Sequence, residues 1–455
     1  MAAPPSSGGV PITSKRQMIE WMEVGSKPKS QWRIGTEHEK FVYRLADHTR
    51  VPYDGPDGIG ILLNTIADRY GWTKIQESGA TIALSRDDCN ISLEPGGQFE
   101  LSGAPLETLH QTCAEANDHL VEARAVCADL GLGMLGVGFD PEGRQEDMPW
   151  MPKGRYNVMR NYMPKVGGRG LDMMTRTCTI QTNLDFGSEA DMVEKFRVSL
   201  ALQPLATALF ANSPFVEGKP TGRVSERSFV WTDVDPDRCG MLDFVFEDGF
   251  GFERYVDYLL DTPMYFVYRD GKYIDVAGES FRAFIEGKLP QLPGETPHMG
   301  DWGDHVTTSF PEVRLKRFLE MRGADGGPWS SICALSAFWT GILYDDAAQK
   351  AALALTRKWS AADMQSLRDA AAIDGLRATI AGRTLRDVAK DVLAIARDGL
   401  NARNRQDSSG DNEAHFLATL DDIAASGQTP ADEKLALYHG EWGGSVKPIY
   451  ARYAY

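Results

Sequence analysis

The sequence predicts an α+β fold in which strands with one polar face line a cavity and helices pack behind them. Two observations carry this prediction. Residues 177–185 and 312–322 alternate in side-chain character, which is the period of a β-strand with two different faces. Residues 106–130 and much of 334–400 repeat apolar side chains every three or four positions, which is the period of a helix lying on a core.

The first predicted strand carries a pair of glutamates. Glu37 and Glu39 are two positions apart, so on an extended chain both side chains point to one face. Glu94 and Glu100 form a second acidic pair, and Glu320 ends a later strand-like run. Two unit charges about 4 Å apart repel by roughly 4 kcal/mol at an effective dielectric constant of about 20. Glutamates that meet in one cavity therefore imply raised pKa values or a bound divalent metal.

Two further strands are predicted to line the same cavity. On residues 177–185 one face is wholly polar, with Thr177, Thr179, Gln181, Asn183 and Asp185. Residues 312–322 read as one strand whose charged face looks into the cavity and whose apolar face packs on helices. His38 lies on the opposite face from the two glutamates beside it, so we expect it behind the sheet and not among ligands.

Most of the remaining chain is predicted to be helical. A short helix begins at Thr13 or Ser14 and ends at Gly25, and residues 401–411 have the composition of an exposed loop. The acidic motifs extend from Glu37 to Glu320, so no division between them leaves a complete site. We therefore predict a disordered tail over residues 1–12 and one catalytic domain over residues 13–455, with a helical C-terminal region over about 334–455.

Composition and charge exclude several classes of protein. The 455 residues are 42% hydrophobic and 25% charged, which is enough for a substantial core. The net charge is −16, and no run of lysine and arginine is long enough to follow a phosphate backbone, so nucleic acid is not an expected partner. No stretch approaches the ~18 apolar residues of a membrane span, so no membrane partner is expected either.

The cysteine pattern predicts neither a zinc site nor a disulfide scaffold. The six cysteines contain no C-x-x-C pair and do not cluster with histidine. Cys113 and Cys127 fall on the apolar stripe of a helix, which is typical of small core residues. This usage fits a reducing cytoplasm, which is the location we predict.

Taken together, the motifs closely resemble those of glutamate–cysteine ligases of the plant and proteobacterial type. The likeness extends from about residue 33 to residue 346. It rests on residues 33–41 (RIGTEHEKF), 93–103 (LEPGGQFELSG), 151–156 (MPKGRY), 159–164 (MRNYMP), 170–174 (GLDMM), 227–228 with 231–233 (RS and WTD), 311–316 (PEVRLK) and 320–327 (EMRGADGG).

This resemblance implies a glutamine-synthetase-like fold, with an antiparallel sheet curved into a funnel and helices packed outside. It also implies an ATP-dependent reaction: the γ-carboxylate of glutamate attacks the γ-phosphate of ATP, and the amine of cysteine then displaces phosphate. The small-molecule partners would be glutamate, cysteine and ATP, with Mg²⁺ as cofactor. The protein itself is expected to be a monomer or a homodimer.

The resemblance also assigns roles to residues. Glu37, Glu39, Glu94, Glu100 and Glu320 resemble the metal-binding carboxylates, and Glu39 counts with the arginines among the catalytic groups. Arg322 is similar to the arginine at the transferring phosphoryl group, and Arg227 to the anchor of the glutamate α-carboxylate. The expected neighbours of the substrate are Trp231, Met174 and Thr177. Those of the nucleotide are Gln181, Asn183, Lys153, Arg155, Arg314 and Lys316.

Several alternatives stay open at this point. The acceptor amine is set by pocket shape, so another amine in place of cysteine remains a rival, and a non-catalytic acidic metal-binding protein is a more distant one. Lys153, Arg155, Arg160 and Lys165 fit a solvated surface arm as well as a phosphate contact. The resemblance to plant members also implies a disulfide that regulates activity. Cys333 lies in a comparable region, but no cysteine follows it, so we do not expect that pair here.

Overall fold

A computed structural model describes residues 8–455, and its centre is one large antiparallel sheet. The strands are β1 Ile34–Arg44, β2 Thr73–Glu77, β3 Ala80–Arg86, β4 Cys89–Leu93, β5 Phe99–Ser102, β6 Leu132–Leu135, β7 Thr179–Leu184, β8 Phe215–Val216, β9 Lys219–Pro220, β10 Cys239–Gly240, β11 Phe266–Arg269, β12 Lys272–Asp275, β13 Phe310–Pro311, β14 Val313–Leu315, β15 Leu319–Asp325, β16 Thr379–Ile380 and β17 Arg383–Thr384. Within the described chain nine of these form the main sheet, in the order β14-β15-β7-β1-β5-β4-β3-β2, with β6 also paired to β1.

Helices cover the sheet from outside. Their bounds are α1 Lys15–Glu23, α2 Ile59–Tyr70, α3 Leu109–Asp129, α4 Gly154–Tyr162, α5 Gly170–Arg176, α6 Glu189–Leu209, α7 Glu226–Val230, α8 Phe252–Asp261, α9 Phe281–Ile285, α10 Met299–Val306, α11 Trp329–Leu343, α12 Asp346–Thr356, α13 Ala361–Asp374, α14 Leu385–Arg403, α15 Ala418–Ser426, α16 Pro430–His439 and α17 Ile449–Arg452. Helices α3, α6 and α11 pack directly on sheet strands. The predicted α+β class is confirmed, with an open antiparallel sheet and helices on its outer face.

Strand β1 is a central strand of the sheet and pairs with three others, β5, β6 and β7. Its first half runs antiparallel to β5 and β7, and its second half to β6. In this register Glu39 lies directly opposite Glu100, and Glu37 lies opposite Gln181. Since opposed residues of antiparallel strands share a face, three glutamates and an amide point to the same side.

The other face of β1 is buried against helices. His38 is 1% exposed, as expected for a residue behind the sheet. Lys40 is also fully buried there, and its ammonium lies 3.0 Å from His38 Nδ1 and 2.8 Å from His119 Nε2. Burial lowers the pKa of Lys40 to about 7.

One expected strand is in fact a hairpin. Residues 312–322 turn at Lys316–Phe318, so the segment forms β14 and β15 instead of a continuous strand. The pattern of alternation did not reveal the turn because the residues before and after it keep the same parity. The turn brings Arg314 directly opposite Glu320.

At the N-terminal end, Ser14 caps α1 and the helix ends before Gly25, close to the predicted limits. Residues 1–7 of the predicted tail lie outside the described residues. Val10 and Ile12 hydrogen-bond through their backbones to residues 299 and 297, so ordered structure begins before residue 13. Nowhere in residues 8–455 is a helix both long and apolar enough to cross a membrane.

Cys113 is buried in the core, as expected, but it is not unpaired. It forms a disulfide with Cys333, with their Cα atoms 5.6 Å apart, and the bond joins α3 to α11. The resemblance drew attention to Cys333 but a partner was sought only after it, whereas Cys113 lies 220 positions before it on a different helix. Cys127 is a free, buried cysteine, in agreement with its expected place in the core.

Candidate active site

A cavity of about 130 Å³ opens on the polar face of the sheet. Strands β1, β5, β7 and β14, the β4–β5 loop, and helices α4 and α5 form most of its wall. Most of the residues singled out from the sequence line it, namely Glu37, Glu39, Glu94, Glu100, Arg155, Met174, Thr177, Gln181, Arg227, Trp231, Arg314, Lys316 and Arg322. Segments far apart in the chain therefore meet at one place.

One side of the cavity is acidic. Glu37 Oε1 accepts a hydrogen bond of 2.8 Å from Asn183 Nδ2, and Glu39 Oε2 accepts one of 2.9 Å from the Thr179 amide. Glu100 accepts from the Ser92 hydroxyl at 2.7 Å. These neighbours are neutral donors, so they orient the carboxylates without neutralising them.

Burial and mutual repulsion act on these carboxylates together. Burial raises the pKa of Glu39 well above its usual range, and the charges of Glu94 and Glu100 raise it further. The pKa of Glu37 is also raised, first by burial and then by Glu320 and Glu100. The acidic side of the cavity therefore favours a bound cation, because a cation removes the cost of holding these charges in one place.

The opposite side is cationic and is built around Glu320. This carboxylate is completely buried behind the cavity wall and accepts two hydrogen bonds from Arg314, at 2.7 and 2.8 Å. Arg322 donates to it at 2.8 Å, and Lys316 lies 3.2 Å away. Burial alone would raise the pKa of Glu320, but these three cations hold it well below its usual value.

Two of the cations are tied to further groups. Arg322 also donates to Gln181 Oε1 at 2.9 Å, which fixes its guanidinium against β7. Arg227, on α7, donates to the Arg322 carbonyl at 2.8 Å. Burial lowers the pKa of Arg227, partly offset by Asp325 and Glu39. The two arginines thus sit side by side at the cavity with little freedom to move.

Three of the residues assigned a role from the sequence do not line the cavity, and neither does Asp185, which was expected on the same polar face but binds the Arg33 amide and Lys27. Asn183 lies behind Glu37 and acts on it through the hydrogen bond given above. Glu320 lies behind the cations, so its assignment as a metal ligand stays a prediction. Lys153 is buried and donates to the Leu93 carbonyl at 2.8 Å, so it supports the loop that carries Glu94 instead of facing the cavity. Its burial also excludes a solvated arm at this position.

Sequence reasoning missed several lining residues. Gln98 holds the Glu94 loop by accepting from the Gly96 amide and by donating to the Met174 and Thr177 carbonyls. Its place two positions before Glu100 could have predicted this, because alternate residues of an extended chain share a face. Thr179, which the sequence placed on the same polar face as Gln181, lines the cavity as expected. No sequence signal distinguishes Thr307 and Phe310, which reach the cavity from α10's end and from β13.

The carboxylates of this site are oxygen donors, the kind that Mg²⁺ prefers. In residues 8–455, however, no three Asp, Glu, His or Cys side chains stand close enough together to form a ready metal centre. The donor chemistry and the raised pKa values of Glu37 and Glu39 fit a divalent cation, and the arrangement of ligands around it stays a prediction.

Comparison with known proteins gives the family. A model of glutamate-cysteine ligase family 2 (GCS2) matches residues 33–452. The chain belongs to this family. The chloroplastic glutamate–cysteine ligase of Arabidopsis thaliana is 56% identical over 457 aligned positions, which cover 100% of this chain and 86% of the relative. The enzyme of the same name from Brassica juncea is 55% identical, with 100% and 87% covered.

A solved structure agrees on the fold. Glutamate–cysteine ligase from Francisella tularensis, determined in complex with AMP, superposes with a TM-score of 0.55 at 14% identity, covering 93% of this chain and 89% of that one. At this level of identity the likeness concerns the fold alone. It supports the glutamine-synthetase-like architecture implied by the motifs.

The relatives overturn one expectation. They are named chloroplastic, which contradicts the predicted cytoplasmic location. The prediction rested on cysteines that looked unpaired in the sequence. Cys113 and Cys333 are in fact bonded, so cysteine usage was no guide to the compartment.

Proposed function

We propose that this protein joins the γ-carboxylate of glutamate to the amine of cysteine at the expense of ATP, forming γ-glutamylcysteine, ADP and phosphate. This is the first step of glutathione synthesis. Membership of the glutamate–cysteine ligase family and 56% identity to the Arabidopsis enzyme support it. The observation that carries the proposal is one cavity lined by four glutamates and five basic side chains.

Each side of the cavity has a task in this reaction. Glu37, Glu39, Glu94 and Glu100 would hold Mg²⁺. Glu320, which lies behind the cavity wall, is the fifth proposed metal-binding carboxylate. The chemistry supplied by Mg²⁺ held there would be positive charge that offsets the negative charge developing on the phosphate. The glutamates fix where that charge lies, because strand pairing and hydrogen bonds from Thr179 and Asn183 hold their side chains.

The basic side would act on the transferring phosphoryl group. Arg322 is held by Glu320 and Gln181, so its guanidinium is aimed before substrate arrives and need not reorganise during the reaction. Arg314 and Lys316 add positive charge at the same wall. Arg155, at the start of α4, faces the cavity from across the β4–β5 loop and would contact nucleotide or substrate.

Arg227 would bind the α-carboxylate of glutamate, because a guanidinium matches a carboxylate with two parallel hydrogen bonds. Its place beside Arg322 brings the other end of the same amino acid toward the phosphoryl group. Trp231, Met174 and Thr177 would form the wall around the carbon chain. After the γ-glutamyl phosphate forms, the cysteine amine attacks its carbonyl carbon and phosphate leaves.

A test follows from the order of these steps. ADP release should require both Mg²⁺ and glutamate and should rise when cysteine is added, and mass spectrometry should detect γ-glutamylcysteine. Equal stimulation by unrelated amines, ammonia included, would favour a ligase with another acceptor. Binding of Mg²⁺ without any ADP release would favour a non-catalytic metal-binding protein, which has no evident need for Arg227, Arg314 and Arg322 among its carboxylates.

A further inference from the structure

Asp325 is a buried carboxylate with no part in the reaction described so far. It ends β15, three residues after Arg322, and is 1% exposed. Gly138 packs against it so closely that a Cβ there would come within 2.3 Å of Asp325 Cγ. The carboxylate is thus tightly enclosed on that side.

Both oxygens of Asp325 are occupied by donors from the Arg227 segment or from the loop before it. Oδ1 accepts from the Ser225 hydroxyl at 2.7 Å. Oδ2 accepts from the Ser213 hydroxyl at 2.7 Å and from the Asn212 amide at 2.8 Å. One carboxylate therefore dictates the direction of two buried hydroxyls.

Each of those hydroxyls also accepts a hydrogen bond from a backbone amide of α7. Because both give their hydrogens to Asp325, their lone pairs are left to accept. Ser225 caps the helix by accepting from the Ser228 amide at 3.1 Å, and Ser213 accepts from the Arg227 amide itself at 3.2 Å. The backbone of Arg227 is thereby held from both sides through one charge.

We propose that Asp325 is a positioning residue that sets the place of Arg227 and hence the affinity for glutamate. This inference rests on the proposed function, since it takes Arg227 as the anchor of the α-carboxylate. Asp325 is also the strongest negative partner of the buried Arg227 guanidinium, ahead of Glu39 and Glu312. It thus holds the backbone of Arg227 by hydrogen bonds and its charge by attraction.

The test compares Asp325→Asn with a matched variant. Asp325→Asn keeps the shape but loses the charge and turns an acceptor into a donor facing hydroxyls and an amide. We expect the KM for glutamate to rise at least about tenfold, equivalent to about 1.4 kcal/mol, while the KM for ATP changes less than about twofold. Ser225→Ala should act in the same direction, and in the double variant the two effects should not add.

Asp185→Asn is the control, because Asp185 is also a buried carboxylate that organises backbone, through the Arg33 amide and Lys27, but outside the cavity lining. It should lower the thermal midpoint and leave the KM for glutamate unchanged. Equal changes in both KM values in Asp325→Asn, or the same split in Asp185→Asn, would overturn the positioning role.

Two further measurements separate this inference from the proposed function. Arg227→Ala should abolish protection of the protein by glutamate against thermal unfolding; if it does not, the anchor role of Arg227 fails and the positioning role with it. Hydrogen exchange needs no activity: in Asp325→Asn the amides of residues 227 and 228 should exchange faster than in wild type. Unchanged exchange at these amides would refute the effect of Asp325 on the Arg227 backbone, even if the wild type is an active ligase. Faster exchange in a protein without ligase activity would support that effect and refute the proposed function.

Discussion

At the scale of single residues, the site holds glutamates in two opposite electrostatic states. Glu39 is buried among other carboxylates, and its pKa is held well above the usual range by burial and by Glu94 and Glu100. Glu320 is completely buried, but three cations hold its pKa well below that range. The same residue type therefore resists ionisation at one position and favours it at the other.

The first prediction concerns Glu39 and the pH dependence of stability without metal. A raised pKa means that the folded state binds this proton more tightly than the unfolded state, so stability falls as pH rises from about 4.5 through the folded-state pKa. Glu39→Gln should remove this loss, by about 1.4 kcal/mol for each unit of pKa shift, and flatten the curve. Urea unfolding between pH 5 and 8, without Mg²⁺, measures it.

The same variant should lose activity while gaining stability. Turnover should fall by orders of magnitude, and added Mg²⁺ should stabilise Glu39→Gln less than wild type, because one anionic ligand is gone. Glu253→Gln is the control, since the Glu253 side chain is 73% exposed and lies outside the cavity lining. A variant with wild-type turnover would remove Glu39 from the proposed metal site.

At the scale of elements, the β14–β15 hairpin arranges the charged side chains of residues 312–322 into one wall of the cavity. Arg314 and Glu320 lie opposite each other across the hairpin and form a buried bidentate pair. Arg314 also donates to the Thr307 and Ser309 carbonyls, which ties the hairpin to the chain that follows α10. The hairpin therefore places Lys316 and Arg322 at the cavity.

The second prediction is that breaking this pair from one side is costly. Arg314→Met leaves the carboxylate of Glu320 buried with less compensation and should lower the free energy of unfolding by about 3–5 kcal/mol. The double variant Arg314→Met with Glu320→Gln should lose less than the sum of its two single variants. Chemical denaturation measures all three. Strict additivity would mean that the two side chains do not depend on each other.

An exposed ion pair gives the contrast. Arg383 and Asp391 are 2.8 Å apart, but their side chains are 41% and 52% exposed. Replacing Arg383 by Met should change stability far less than Arg314→Met, because solvent already screens both charges.

At the scale of the whole molecule, long-range connections hold the site together. The acidic strands come from the first quarter of the chain and the cationic hairpin from beyond residue 310, with β7 between them in the sheet. Helices α3 and α11 pack behind this junction and are linked by the Cys113–Cys333 bond. We propose that residues 13–455 act as one domain, because the cavity is lined by segments that extend from Glu37 to Arg322.

The third prediction concerns that bond. Replacing Cys113 and Cys333 together by alanine should lower stability by about 2–5 kcal/mol, because the unfolded chain regains the freedom that a link across 220 residues removes. Thermal unfolding with and without a thiol reductant measures the effect. Reductant should lower the midpoint of wild type toward that of the double variant and leave the double variant unchanged. If complete reduction left the thermal midpoint of the wild type unchanged, the disulfide would make no contribution to stability.

The candidate site was predictable wherever a strand keeps a regular period. Glu37 and Glu39, and later Gln181, share a face because alternate residues of any strand do, so local geometry was enough to group them. Gln98 carried the same signal beside Glu100. Thr307 and Phe310 carried none, since they reach the cavity from irregular chain whose course depends on contacts with distant elements.

What the sequence by itself determined is the chemistry: alternating carboxylates on β1, the motif around Glu94 and Glu100, and basic residues flanking Glu320, all read from spacing that a local backbone imposes. Only the tertiary structure decided which partners each of these side chains has. The turn at Lys316 places Arg314 opposite Glu320, helix packing brings Cys113 to Cys333, and Asp325 accepts hydrogen bonds from the serines around Arg227. Those outcomes depend on contacts between residues tens to hundreds of positions apart, about which side-chain period carries no information.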